Sequence, residues 1–376
     1  MGCAADATGG DPGPVPLDPP MGIADGPVAV DLTQPPPRQL SHMRLFEWDP
    51  ATEDLAYNER VVPYELNTPL FSDYAKKARA IYVPPDTSIA YDPDDVLSFP
   101  VGTVIVKTFY FPANLQTPEE DIRLIETRVL RLTEDGWEAW PYLWTDDQTE
   151  ATLALAGATR SIDFIDPAGV ARTASYLVPQ RNQCLTCHER NVGPGGATIL
   201  TPIGPAARHL HRERETPAGP RNQLLELEAL GMLDGLPALD DVPAAFDFDE
   251  VAASGVDALT PEQVDRAARD YLDVNCAHCH DPEGTQGVTS QLFLNHDNED
   301  PFRLGICKRP GSAGEGNGGL TYDIVPGRPD ESILVFRTET TEVGAMMPLI
   351  GRSLRHDQGA ALVRRWIAEM PVQDCD

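Results

Sequence analysis

The chain contains no run of about 18 apolar residues, so no segment reads as a membrane-spanning helix. It also lacks the short apolar stretch of a secretory signal. Positive charge is scarce: of 376 residues, 29 are Lys or Arg against 59 Asp or Glu, a formal net charge of -30. Nucleic acid is therefore not an expected partner, because phosphate binding needs a basic footprint. Acidity of this kind keeps an extracytoplasmic protein soluble or steers a cationic redox partner towards it. No acid/base dyad stands out. Cysteine is sparse too, with seven in all.

Four of those seven fall into a repeated pattern. Cys184-Leu185-Thr186-Cys187-His188 and Cys276-Ala277-His278-Cys279-His280 are both C-x-x-C-H, the attachment signature of a c-type haem. Two thiols three residues apart on one helical turn can each form a thioether to a haem vinyl group. The following His is then the proximal iron ligand. A lone C-x-x-C would also fit zinc or a redox dithiol; two copies with the trailing His point to two haem c groups. The remaining cysteines are Cys3, Cys307 and Cys375. Covalent haem attachment implies an extracytoplasmic compartment, where disulfides persist, and Cys307 and Cys375 could be bridged or free. Met1-Gly2-Cys3 reads as a processed bacterial lipoprotein start with a lipid on Cys3, against a free terminus as the alternative.

Residues 1–38 are rich in Pro, Gly, Ala and Asp and read as an extended tether. Over 39–180 the apolar period is two, with strands expected at 103–111, 123–132, 137–144, 152–164 and 171–178. Asp135-Gly136 marks a tight hairpin. This predicts an antiparallel β domain, a sandwich or a barrel. Trp137, Trp140, Tyr142 and Trp144 read as packing residues. Residues 181–250 form a first haem c mini-domain that has no long helix before Cys184, and 193–196 is a glycine-rich turn. Its distal iron ligand is His209 or His211, Met232, or no protein group at all. An apolar-periodic helix is expected at 222–233.

Residues 251–376 read as an all-α cytochrome c domain. Thr260 is a helix N-cap and Pro261 the first helical residue, leading through 262–275 into Cys276. Met347, beside Pro348, is the expected distal ligand of the second haem, with Met346 as alternative; a closing helix follows at 357–370. His278 reads as solvent-facing. The glycine-rich stretch 311–319 reads as a flexible loop. His296-Asp297-Asn298-Glu299-Asp300 offers oxygen donors for calcium without EF-hand spacing.

Several stretches are similar to a bacterial family of diheme c-type cytochromes often encoded beside a parallel β-helix repeat protein. They are Tyr64-Glu-Leu-Asn-Thr-Pro-Leu-Phe-Ser-Asp-Tyr74, Phe99-Pro-Val-Gly-Thr-Val-Ile-Val-Lys-Thr-Phe109 and Glu126-Thr-Arg-Val-Leu130, with Asn182–His188, Asn275–His280, Val325-Pro-Gly-Arg-Pro-Asp330 and Met347-Pro348. The resemblance implies electron transfer at or near the outer membrane of a Gram-negative bacterium, in the periplasm or as a lipoprotein. Partners would be redox proteins and the β-helix repeat protein. A His/Met haem would have the higher potential. Two rivals remain: a diheme peroxidase-like enzyme with an open first haem, and a partner-docking module whose β domain does the binding.

Overall fold

Alternating apolar residues between 104 and 144 bury one face of each strand and then the other, and this period organises the N-terminal half. The computed structural model describes residues 26–192, 197–216, 219–285, 288, 290–311 and 314–375. A small hairpin, β1 (Phe46–Asp49) and β2 (Asp54–Tyr57), precedes β3 (Val61–Pro63), β4 (Lys76–Tyr82) and the short β5 (Ile89–Ala90). Then come β6 (Val104–Pro112), β7 (Ile122–Thr133), β8 (Gly136–Trp144) and β9 (Ala151–Leu153). One open antiparallel sheet runs in the order β3-β4-β6-β7-β8-β9. The hairpin β10 (Ala158–Ile165) and β11 (Ala171–Val178) forms a separate two-stranded sheet. The run 152–164 is thus two strands, broken by the turn at Gly157, whose φ of +68° suits glycine.

The two faces of the large sheet have different jobs. Val104, Val106, Val129, Trp140 and Tyr142 face a core shared with Leu40, Met43 and Phe46. On the other face, Phe109, Phe111 and Ile125 pack against the β10–β11 hairpin. Further along that same face, Ile81, Ile105 and Leu130 join Leu210, Leu224 and Met232 in a third core. Residues 203–242 therefore share their interior with the sheet and are not a separate unit. Helix α3 (Gln223–Ala229), capped by Asn222, ends before Leu233, which pairs with β5.

The expected tether is corrected over its last third. Val28 and Val30 pack on the sheet core, Arg131 donates to the Asp31 and Gln34 carbonyls at 2.9 and 3.0 Å, and Tyr142 donates to the Pro37 carbonyl at 2.7 Å. The prolines lack N–H donors but keep carbonyls, and the sheet supplies the donors. Cys3, residues 1–25 and the 193–196 turn lie outside the described residues.

The C-terminal part is helical. Two short helices, α4 (Phe248–Ser254) and α6 (Ile333–Glu339), flank the long pair α5 (Pro261–Leu272) and α7 (Asp357–Glu369). Thr260 caps α5 reciprocally with Gln263, as its sequence position predicts. Val264, Tyr271 and Leu272 of α5 meet Leu362, Val363 and Trp366 of α7 in a buried core. Cys307 and Cys375 form a disulfide that ties the chain end to this part. Among the described residues no helix is long and apolar enough to cross a membrane.

Candidate functional site

The first C-x-x-C-H follows β11 through Pro179 and a reciprocal cap between Gln180 and Gln183. A 3-10 turn, Arg181–Cys184, leads into a single helical turn, α1 (Leu185–His188). Arg181 stacks its guanidinium 3.8 Å above the Trp140 ring and donates to the Ala139 carbonyl, so the motif is pinned to the sheet. His188 Nδ1 lies 2.7 Å from the Thr201 carbonyl and donates to it. That bond leaves Nε2 with its lone pair, the arrangement a proximal iron ligand needs. Burial holds the His188 imidazole down at about 3, so the ring is neutral.

Cys184, Cys187 and His188 line a cavity whose other wall is the sheet, with Ile105, Lys107 and Arg128. About 100 Å³ there is open to a water-sized sphere. The wall is mainly apolar, with Leu130, Trp140 and Ile203 among its members. An apolar slot beside two thiols and a neutral, oriented imidazole suits a haem.

The second motif grows out of α5. The helix widens into a π turn, Asp273–Ala277, and His280 N–H bonds back to the Cys276 carbonyl at 2.9 Å. His280 Nδ1 lies 3.3 Å from Ser290 Oγ, and burial lowers its imidazole to about 4. Cys276 packs against the helical core. Burial pushes the Cys187 thiol up to about 11 and the Cys276 thiol up to about 12. Among the described residues, no three His, Cys, Asp or Glu side chains gather as a metal site. A haem iron needs no such cluster, because the porphyrin and one or two axial side chains complete it.

The two motifs meet. Cys279 Sγ lies 3.4 Å from the Thr186 carbonyl, and Thr285 Oγ1 donates to that same oxygen at 3.2 Å. Asn191 N–H donates to the Glu283 carbonyl at 2.8 Å, and Arg190 pairs with Glu283 at 2.8 Å. An ion network ties residues 208–209 to the end of α5, which leads into the second motif. Arg208 pairs with Asp270, and with Asp273 at 3.0 Å, while Asp273 also faces His209 and His296. These partners hold the Asp273 carboxyl far below the usual carboxylate range, against the burial that opposes it.

The expected distal groups fall as follows. His209 is buried against Arg208 and Asp273; His211 hydrogen-bonds the Val242 carbonyl at 2.9 Å; Met232 is 1% exposed in the core beside the sheet. None of the three lines the cavity at Cys184. Met346 and Met347 sit half-buried on the loop between α6 and α7. Met347 N–H bonds the Arg337 carbonyl at 2.8 Å, and its own carbonyl accepts from Arg352 Nε at 3.0 Å. The Arg352 charge also acts, weakly, on the Cys276 thiol. Ile350 and Gly351 of the loop reach the first cavity.

His278 was expected in solvent. It is half-buried instead, its Nδ1 shielded from water without a well-formed hydrogen bond and its imidazole lowered to about 4. The reason is tertiary: the first motif covers the turn that carries it. Around 296–300 the side chains bond within their own loop, Asp300 accepting from the Phe302 and Arg303 amides. Sequence reasoning missed Lys107 and Arg128 on the cavity wall. Lys107 is the only charge in the strand Val104–Pro112, and that isolation was the available signal.

Compared with protein-family models, curated proteins and solved structures, the chain matches none.

Proposed function

We propose that the chain is a diheme c-type cytochrome that carries electrons between extracytoplasmic redox partners. The observation that carries this reading is the contact between two C-x-x-C-H segments, each holding its His neutral and bound through Nδ1. Cys184, Cys187, Cys276 and Cys279 would attach the two haems, with His188 and His280 as proximal ligands and Met347 as the distal ligand of the second. When bound, each haem supplies an Fe(III)/Fe(II) couple that takes up and releases one electron. The protein's own part is orientation and exclusion of water: Thr201 and Ser290 set the imidazoles, and the apolar sheet face covers the first site. Thioether ligation by Met347 would raise the potential of the second site above the first. The resemblance to diheme cytochromes encoded beside a β-helix repeat protein points the same way. So does the Cys307–Cys375 disulfide, which belongs in an oxidising compartment, the periplasm or the outer-membrane surface with a lipid on Cys3.

A peroxidase-like enzyme is the second reading. It is favoured by one observation: His209, His211 and Met232 all lie away from the first cavity.

The test is expression with export in a host that attaches haem c, followed by intact mass and haem staining after denaturation. Two covalent haems are expected. Cys184→Ala with Cys187→Ala should leave one, as should Cys276→Ala with Cys279→Ala. A fully processed chain without covalent haem would end this reading.

A further inference from the structure

Lys107 is a half-buried cation on the sheet face that lines the first cavity. Its Nζ sits 5.0 Å from the Phe109 ring centroid and, among the described residues, makes no hydrogen bond or ion pair. The register sets Lys107 directly between Arg79 on β4 and Arg128 on β7, a row of three cations across adjacent strands. Like charges placed opposite one another destabilise a sheet. Glu126 is hydrogen-bonded to Arg128, at 2.6 and 3.0 Å, and to the Tyr176 hydroxyl at 2.8 Å, and reaches Lys107 only through its charge. A protein with a net charge of -30 has thus placed a half-buried lysine, without an ion pair among the described residues, on the cavity that Cys184, Cys187 and His188 line from the motif side.

The cavity wall offers few electron-pair donors to an iron. The guanidinium of Arg128 has no lone pair to give and is committed to Glu126. Tyr64 is a buried phenol pushed up to about 12, so it stays protonated and donates weakly. The Gln183 amide oxygen is engaged by the Gln180 N–H at 2.9 Å. Lys107 is the remaining nitrogen. Burial, then the neighbouring Arg79 and Arg128 charges, drive it towards the free amine.

We propose that Lys107 is the distal ligand of the haem attached at Cys184 and Cys187, its amine nitrogen binding the iron on the side away from His188. The inference rests on the diheme reading above. On binding, the ammonium gives its proton to solvent and its nitrogen lone pair fills the coordination position otherwise open to an added ligand. An electron-transfer site closed in this way needs neither His209, His211 nor Met232.

The experiment uses the exported holoprotein, oxidised, as wild type, Lys107→Gln and Lys107→Arg. Haem content by mass is read first, because fewer than two haems in the wild type would overturn the diheme reading and this assignment with it. With two haems present, the wild type should show two low-spin EPR signals that cyanide does not alter. Its near-infrared magnetic circular dichroism should contain one charge-transfer band in the His/amine region and one in the His/Met region. Both variants should retain two haems and lose one low-spin signal to a high-spin, cyanide-sensitive species, with the His/Met band unchanged. Arg keeps the charge but cannot ligate, so it should behave like Gln. Two unchanged low-spin signals in either variant would overturn the assignment and leave Lys107 as a counter-ion. A wild type with a high-spin haem would overturn it in favour of the peroxidase-like reading. The wild-type infrared bands decide the matter if a variant fails to fold, since absence of a His/amine band overturns it alone.

Discussion

Acid should weaken the joint between the β part and the helical part through His356. Its ring stacks on Phe71, with centroids 4.3 Å apart and planes at 8°, and lies among Tyr74, Phe248 and Tyr271. Its Nδ1 is 3.1 Å from the Tyr271 hydroxyl, which donates to the neutral ring. Burial lowers the imidazole to about 3 from the ordinary 6.5, with nearby Lys77 adding to the effect and Asp357 opposing it. Between those values the unfolded chain binds a proton that the folded chain refuses, so stability rises with pH and is lost as pH falls through the window. From pH 7 to pH 5 the unfolded imidazole passes from mostly neutral to mostly protonated, which costs about 2 kcal/mol. This figure needs only a folded value of about 4 or lower. His356→Phe keeps a ring against Phe71 and removes the titration. It forfeits the Tyr271 bond, worth about 1 kcal/mol at neutral pH. Urea unfolding at pH 7 and pH 5 should therefore show a loss smaller by about 2 kcal/mol in the variant. Equal losses in the two proteins would refute the reasoning.

Three further outcomes follow from buried or covalent partners. Glu126→Ala should destabilise by about 3–5 kcal/mol in urea unfolding, because it strands Arg128 in the interior beside Lys107. Cys307→Ser with Cys375→Ser opens a link spanning 68 residues and should lower the stability of the helical part by about 2–4 kcal/mol in non-reducing thermal unfolding. Thr260→Ala removes a bond to the Gln263 amide at the start of α5 and should cost about 1 kcal/mol, read as a lowered melting temperature with haem content unchanged.

Local signals were legible where the chain decides its own geometry. The period-two strands around 104–144 form because alternate side chains must leave opposite faces of a pleat. The Gly136 turn and the Thr260 cap form because a few consecutive residues satisfy their own backbone. Both C-x-x-C-H segments were visible for the same reason, since the spacing needs only one helical turn.

Contacts between distant residues were not legible. Residues 26–38 looked like tether because prolines cannot build their own secondary structure, yet Arg131 and Tyr142 supply the donors their carbonyls need. His278 looked exposed until the first motif covered it. His209 and His211 looked like ligands until Asp273 and the Val242 carbonyl engaged them. By itself, the sequence determined which residues carry the C-x-x-C-H spacing and which stretches alternate as strands, because both depend on spacing along one chain. Only the tertiary structure decided that the two motifs touch, that Cys307 meets Cys375, and that Lys107 lines the first cavity. Those are consequences of register and packing between segments far apart in the chain, and no local pattern encodes them.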